Sequence, residues 1–207
     1  MAWLVPENML DDQQRDFVEN VDINQKNVWI KGFPGSGKSV LLAYTMKHIK
    51  RKDPNAKVAV VVFTHSLIAM FKAAFVEMGV PANIMTYYEF MDSSSNYDYI
   101  LSDEVQDMTG RVLATMNSRA KHVIVAGDEN QSIFEIDPKY REATVSPSQI
   151  TSLLNCYDFE LGIIHRLSSS IIAAVEKFMP NMNIFTARRD MTKRTTQIRL
   201  CSANSAE

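Results

Sequence analysis

Short apolar runs alternate with longer segments of helical periodicity along the chain. Five runs have the length and the Val- and Ile-rich composition of buried strands, and they cover residues 27–31, 57–63, 97–102, 122–126 and 158–163. Four other segments repeat apolar residues at helical spacing, at 39–50, 66–78, 109–120 and 168–178. Strands that alternate with helices predict an α/β fold with a parallel sheet of about five or more strands and helices on both faces.

The segments between these elements carry turn and loop signals. Residues 92–96 (DSSSN) are polar and predict a surface loop, and residues 134–148 hold two prolines and many charges, which favours irregular structure. After Pro180 the chain becomes polar and basic, residues 197–201 have strand character, and Ser205 is a candidate helix N-cap. By themselves these signals fit either a frayed tail or the start of a further helix; the family resemblance given below implies one domain over 1–180, followed over 181–207 by a linker and the first strand of another domain.

Composition narrows the classes of function. The 207 residues carry 22 Lys and Arg against 24 Asp and Glu, so the chain is not a basic nucleic-acid binder throughout, although a local basic patch is compatible with this balance. No apolar run approaches the length of a membrane span, and the N-terminus does not resemble a signal peptide. Two cysteines, Cys156 and Cys201, do not form a paired motif, which favours a reduced cytoplasmic protein.

The strongest motif follows the first predicted strand. The sequence GFPGSGKS matches G-x-x-x-x-G-K-[ST] at every fixed position and leads directly into a predicted helix. Backbone N–H groups of such a loop surround a phosphate, the lysine reaches the β- and γ-phosphates, and the serine hydroxyl binds Mg²⁺. The motif predicts binding of a nucleoside triphosphate with Mg²⁺ by Gly32, Pro34, Gly35, Ser36, Gly37, Lys38 and Ser39.

Acidic residues follow the strand at 97–102. Asp103 stands where a magnesium ligand is needed at the carboxyl end of a neighbouring parallel strand, and Glu104 stands where it can polarise an attacking water. Adjacent carboxylates favour hydrolysis over simple phosphate transfer between nucleotides.

The strand at 122–126 delivers further polar residues to the same edge. Gln131 is a candidate contact for the γ-phosphate or its water. Phe134 is an aromatic residue in a polar segment, and two interpretations remain open: a side chain that packs in the core, or a platform for base stacking.

Together these motifs resemble the first RecA-like domain of superfamily 1 helicases of the UvrD/Rep type. The acidic segment DEVQD is similar to the family's D-E-x-Q-D, and GDENQSI fits its G-D-x-x-Q-S-I. Residues 86–90 (TYYEF) only loosely resemble the family's T-x-H-x-F. The resemblance implies a RecA-like P-loop NTPase that couples ATP hydrolysis to movement on single-stranded DNA.

The resemblance also implies roles for residues outside the strong motifs. LDDQQ resembles the L-N-x-x-Q segment, which places Gln14 on the adenine edge. VFTHS resembles motif Ia, which suggests Thr64 and His65 near the nucleic-acid backbone. IHRLS resembles motif IV, in which Arg166 faces the γ-phosphate and His165 takes the place of an adenine-stacking Tyr.

Nothing after Arg166 resembles the family's motifs V and VI, which lie on a second RecA-like domain. We therefore expect this chain to bind ATP–Mg²⁺ but to hydrolyse it slowly by itself, with Lys38, Glu104, Gln131 and Arg166 in catalytic roles. One alternative is a nucleotide-dependent switch or recruitment module that does not unwind nucleic acid. Another is a helicase of the same superfamily that acts on RNA.

Overall fold

Strands and helices alternate along the chain, as the apolar pattern predicts. The computed structural model describes residues 4–128 and 135–165, together with Ile171, Val175 and Lys177, each of which is helical. The strands are β1 (Val28–Gly32), β2 (Val58–Val62), β3 (Asn83–Thr86), β4 (Tyr97–Ser102), β5 (Ala120–Gly127) and β6 (Tyr157–Leu161). The α-helices assigned from end to end are α1 (Asp12–Asn20), α2 (Lys38–Lys52), α3 (His65–Met78), α4 (Tyr87–Asp92), α5 (Gly110–Arg119) and α6 (Pro147–Leu154).

The described residues fall into two units. The first contains every strand and helix named above, up to Gly32 and from Gly37 to Leu161. The second contains the loop Phe33–Ser36 and the described residues from Gly162 onward. The expected linker and extra strand at 181–207, and most of the helix expected at 168–178, lie outside the described residues.

The sheet of the first unit has the strand order β3-β2-β4-β5-β1-β6. All its pairings are parallel, so the carboxyl ends of the strands lie along one edge. The predicted α/β fold with a parallel sheet and helices is confirmed. One detail differs from expectation, because β5 lies between β1 and β4 and the strand that carries Asp103 is therefore not the direct neighbour of β1.

Two apolar clusters cover the two faces of this sheet. Alternate residues of β2 divide between them: Val58, Val60 and Val62 belong to one cluster, and Ala59 and Val61 to the other. Side chains of α1, α2 and α3 complete the first cluster, and side chains of α4, α5 and α6 complete the second. Burial on both faces explains why β2 is an uninterrupted apolar run.

Apolar runs correctly predict five of the six strands, and helical periodicity predicts α2, α3 and α5. It does not predict α1, α4 or α6, which are only 9, 6 and 8 residues long. Each of these three helices begins with a capping box, in which the N-cap side chain and the residue three positions later bond each other's backbone: Asp11 with Gln14, Thr86 with Glu89, and Ser146 with Gln149. Short-range capping chemistry, rather than periodicity, marks where these helices start.

The expected loops at 92–96 and 134–148 are confirmed in part, because Asp92 is the last residue of α4 and Pro147 and Ser148 are the first residues of α6. Residues 93–96 are irregular and follow α4, and residues 135–145 form turns and isolated bridges before α6. No helix among the described residues is long and apolar enough to cross a membrane.

Asn27 joins four elements at the amino end of the sheet. Its side-chain oxygen accepts a hydrogen bond from the Val123 amide at 2.8 Å, and its side-chain nitrogen donates to the Leu154 carbonyl at 2.7 Å and to Asn117 Oδ1 at 2.9 Å. Its own carbonyl accepts from the Tyr157 amide at 2.8 Å. This residue therefore ties the start of β1 to β5, β6, α5 and α6.

We expect Asn27→Ala to lower the free energy of unfolding by about 2 kcal/mol, because the Val123 amide and the Leu154 carbonyl both lose a partner. Urea denaturation at neutral pH measures the change. Asn20→Ala is the matched control, since Asn20 bonds only an exposed Asp16 in the described contacts, and its effect should stay within about 0.5 kcal/mol. Equal effects of the two substitutions would contradict the assigned role of Asn27.

Candidate nucleotide-binding site

The phosphate-loop motif occupies the turn between β1 and α2. Gly37 is the N-cap of α2 and has a φ of 93°, a left-handed conformation that favours glycine. A Cβ atom at this position would lie 2.2 Å from the side-chain nitrogen of Gln14, so the close approach also requires glycine. Lys38 follows as the first residue of α2, is 8% exposed, and its Nζ donates to the Gly32 carbonyl at 2.7 Å.

In the second unit, two backbone hydrogen bonds involve the loop Phe33–Ser36. The Ser36 amide donates to the Phe33 carbonyl at 3.1 Å, which closes a tight turn. The His165 amide donates to the Gly35 carbonyl at 2.9 Å, so the segment that resembles motif IV contacts the loop through its backbone.

Gln14 lies beside the phosphate loop. It is 3% exposed, and its side-chain oxygen accepts from the Asp11 amide at 3.2 Å within the capping box of α1. The same capping box accounts for Asp11 where the resembled L-N-x-x-Q segment has Asn, because Asp and Asn are equally good N-caps. The proposed contact of Gln14 with adenine stays a prediction.

Ser39 and Asp103 meet where the sequence predicts a magnesium site. The Ser39 hydroxyl donates to Asp103 Oδ2 at 2.6 Å, although 64 residues separate them. A hydroxyl and a carboxylate are hard oxygen ligands, and Mg²⁺ is commonly held by one or two such protein groups together with substrate phosphates and water. The pair therefore fits Mg²⁺. Among the described residues no group of three or more His, Cys, Asp or Glu side chains could hold a metal ion.

Asp103 is a buried acid. Its side chain is removed from water, and burial together with the neighbouring charge of Glu104 raises its pKa to about 6. The hydrogen bond from Ser39 acts in the opposite direction. The ionised form of Asp103 is thus disfavoured by its surroundings, and a bound cation compensates such a charge.

Glu104 has an unusual backbone conformation and a defined side-chain partner. Its φ of 54° and ψ of 46° lie in the left-handed region, which costs a non-glycine residue roughly 1–2 kcal/mol. Gln106 Nε2 donates to Glu104 Oε2 at 2.7 Å, and Gln106 Oε1 accepts from the Asp128 amide at 3.2 Å. Gln106 therefore lies between the acidic segment after β4 and the end of β5.

Gln106 and Gly127 are the site residues that sequence reasoning missed. Gln106 lies within the motif DEVQD and Gly127 within GDENQSI, but neither motif by itself assigns these two residues a role. The signal that pairs them is steric: a Cβ at Gly127 would lie 2.5 Å from Gln106 Oε1 and 2.7 Å from Val105 Cγ1. Such a constraint is invisible without coordinates.

The candidate nucleic-acid residues follow β2. Thr64 is the N-cap of α3 and accepts from the Leu67 amide at 3.3 Å, and His65, the first residue of that helix, is exposed. Phe63 stacks on Tyr87 with ring centroids 5.2 Å apart, and Tyr87 contacts Tyr88 at 4.0 Å. Thr86, Tyr87 and Phe90 of the TYYEF segment are buried, so most of it packs in the core. Thr64 and His65 remain predicted contacts.

Three predicted site residues, Gln131, Phe134 and Arg166, lie outside the described residues.

A family model described as an AAA domain matches residues 14–137. No curated protein sequence matches the chain. The matched residues include Gln14, the phosphate loop and the acidic residues that follow β4 and β5.

Solved structures of helicases resemble the fold. The Pif1 helicase from Candida albicans has a TM-score of 0.54 and 15% identity over 87% of this chain and 45% of its own. The Arterivirus nonstructural protein 10 helicase has a TM-score of 0.53 and 18% identity over 74% of this chain and 39% of its own. The Bacteroides Pif1 helicase in complex with ADP-AlF3 and single-stranded DNA has a TM-score of 0.50 and 15% identity over 84% of this chain and 46% of its own. This chain thus spans less than half the length of each.

Replacement of Asp103 tests the electrostatics of the site. Between the unfolded pKa of about 3.9 and the folded pKa of about 6, the folded state binds more protons, so native stability falls as pH rises through this window. Asp103→Asn removes that penalty, and we expect it to raise the free energy of unfolding of the nucleotide-free protein by up to about 3 kcal/mol at pH 8, with a smaller gain at pH 5. Urea denaturation at both pH values measures this.

Asp98→Asn is the control of opposite sign. Its carboxylate accepts from Lys121 Nζ and from the Lys57 amide, and these contacts lower its pKa. An acid with a lowered pKa stabilises the fold above its unfolded pKa and loses that effect as pH falls. We therefore expect Asp98→Asn to destabilise the protein at pH 8. An Asp103→Asn variant that is less stable than the parent at pH 8 would contradict the assigned burial of this charge.

Proposed function

Because this chain belongs to the AAA domain family, we propose that it is the ATP-binding motor domain of a superfamily 1 helicase or translocase, which couples ATP hydrolysis to movement on single-stranded DNA. The observation that carries the proposal is the Ser39–Asp103 hydrogen bond of 2.6 Å, with Glu104 next in sequence. It brings together the magnesium-binding serine of the phosphate loop and the acidic pair that a water-attacked phosphoryl group requires.

The proposal gives a role to five residues of the first unit. Lys38, which donates to the Gly32 carbonyl in this structure, would bind the β- and γ-phosphates of ATP, and Ser39 and Asp103 would hold Mg²⁺. When bound, the cation would supply positive charge beside the phosphates. Glu104 accepts a proton from the attacking water. Gln14, whose side-chain nitrogen lies close to Gly37, would read the adenine edge.

The DNA part of the proposal rests on position and on the helicase resemblance. Thr64 and His65 follow β2 at the same sheet edge as Asp103, which follows β4. Movement along the backbone requires contacts that respond to the nucleotide site, and residues at this edge are the nearest candidates. The Bacteroides relative binds single-stranded DNA, and for this chain the same ligand is a proposal.

We expect Lys38→Ala to weaken binding of a fluorescent ATP analogue with Mg²⁺ by about tenfold to a hundredfold, because a charged hydrogen bond to phosphate is lost. Fluorescence titration measures the affinity. Lys47→Ala is the matched control on the same helix, since its Nζ pairs with Glu7 at the surface. Equal affinities for the parent and Lys38→Ala proteins would contradict the assignment of the phosphate site.

Hydrolysis by this chain alone is expected to be slow. The proposal assigns a further arginine to a second RecA-like domain, and such an arginine is worth roughly 10³–10⁵ in rate in related NTPases. A steady-state phosphate-release assay with the Lys38→Ala protein as blank measures turnover. Lys38-dependent turnover of tens per second would overturn the expectation of incomplete activity.

His65 gives the nucleic-acid test. We expect His65→Ala to weaken binding of a labelled single-stranded DNA by about threefold to tenfold at low salt, through loss of one polar contact. His122→Ala is the control, because His122 lies on β5 near the amino end of the sheet. Competition by RNA of the same sequence at a stated salt concentration decides between DNA and RNA. No effect of His65→Ala would remove this residue from the proposed surface.

Two responses distinguish the proposed motor domain from the alternative, a nucleotide-dependent switch or recruitment module. A motor domain changes its affinity for single-stranded DNA with the state of the nucleotide and is stimulated by DNA in its hydrolysis. A recruitment module shows neither response.

A further inference from the structure

The side chain of Gln106 donates one hydrogen bond and accepts another in the described contacts. Its nitrogen donates to the Glu104 carboxylate at 2.7 Å, and its oxygen accepts from the Asp128 amide at 3.2 Å. The side chain is 5% exposed, so both bonds form away from bulk water. A hydrogen bond to an ionised group in such surroundings is worth more than one at the surface.

The orientation of the carboxamide is fixed by its partners. The backbone amide of Asp128 is a donor only, so the atom of Gln106 that faces it must be the oxygen. The remaining nitrogen then faces Glu104, whose ionised carboxylate is an acceptor only. Only a primary amide of this length satisfies both partners at once, since Glu lacks the donor and Met lacks both groups.

Gly127 provides the space for this arrangement. A Cβ atom there would lie 2.5 Å from Gln106 Oε1, a distance that forces the amide to move. Because Gly127 ends β5 and Asp128 follows it, the space and the anchoring N–H come from the same strand end. The end of β5 therefore determines where the Gln106 side chain lies.

The backbone of Glu104 is consistent with a side chain that must be aimed. The left-handed conformation reverses the chain directly after Asp103, and the Asp107 amide donates to the Glu104 carbonyl at 3.1 Å in the turn that follows. This turn brings Gln106 back over its own sequence neighbour two residues earlier. The backbone sets the position of the Glu104 carboxylate roughly, and Gln106 sets its direction.

We propose that Gln106 is a positioning residue for Glu104: anchored on the Asp128 amide, its side-chain nitrogen holds the water-activating carboxylate in one direction and links it to the end of β5. This inference rests on the proposed function, because it assigns Gln106 to the hydrolytic step. Its consequence is a loss of rate without a loss of nucleotide affinity, since the bonds of Gln106 to Glu104 and to the Asp128 amide act on the direction of the Glu104 carboxylate.

The test combines Gln106→Met, which keeps side-chain length and removes both bonds, with Glu104→Gln in a double-mutant cycle. We expect Gln106→Met to slow single-turnover hydrolysis of ATP by about tenfold to a hundredfold, within the range that a well-placed general base contributes. We expect its affinity for a fluorescent ADP–Mg²⁺ analogue to stay within about twofold of the parent. In the Glu104→Gln background, Gln106→Met should cause no further loss, because a residue that acts through Glu104 has nothing left to position.

Two further variants keep the test decisive if Gln106→Met folds poorly. Gln106→Glu retains the acceptor for the Asp128 amide but turns a donor into a like charge beside Glu104, and it should lose rate as severely. Gly127→Ala leaves residue 106 chemically unchanged but places a Cβ in the space of its amide, and it should reproduce the kinetic defect. Circular dichroism and analogue binding confirm that each variant is folded.

The outcomes separate this inference from the function on which it rests. A parent protein with hydrolysis that depends on Lys38, and Gln106 variants with the parent rate, would overturn the inference alone. Additive losses in the double-mutant cycle, or a parallel loss of nucleotide affinity, would likewise reject a positioning role. A parent protein without Lys38-dependent hydrolysis would overturn the proposed function and this inference together.

Discussion

Burial of both faces of the parallel sheet is the constraint on which the rest of the structure depends. Successive residues of β2 and of β5 pack into opposite apolar clusters, so neither strand has a place for a polar side chain along its buried length. Polar chemistry is displaced to the strand ends, and parallel pairing places all the carboxyl ends on one edge. Asp103 after β4 and Asp128 after β5 both lie at this edge, beyond the apolar interior of the sheet.

The same constraint makes the site costly for the nucleotide-free fold. Asp103 lies deep enough at the end of β4 that burial raises its pKa, and the charge of Glu104 adds to the effect. Ser39 offsets part of this with its hydrogen bond, and Glu104 adopts a strained backbone conformation directly beside it. Local destabilisation of this kind is expected where charges are prepared for a ligand rather than for stability. The apolar clusters on both faces carry the stability that the edge lacks.

The predictability of each part follows from the range of the interaction that forms it. Long apolar runs and long helical periods report burial directly, and so β2 and α2 are predicted from sequence with small errors at their ends. The strand β3 is not predicted, because only Ile84 and Met85 of its four residues are apolar and neither is fully buried. The phosphate loop is predicted because its chemistry is contained in eight consecutive residues. The strand order is not, since the insertion of β5 between β1 and β4 depends on pairings between residues distant in sequence.

That insertion explains why the acidic segment after β4 is hydrogen-bonded to the end of β5, although the two are separate motifs in the sequence. With β5 between β1 and β4, the turn that follows Asp103 lies over the end of β5. Gln106 there accepts a hydrogen bond from the Asp128 amide, 22 residues later in the sequence. A side chain at position 127 would occupy the space of the Gln106 amide, so glycine there and glutamine at 106 are two halves of a single requirement. Any change of nucleotide state that moves the end of β5 must then move the partner of Glu104 as well. The hydrogen-bond geometry thus gives a physical route by which the end of β5 and the Glu104 carboxylate influence each other.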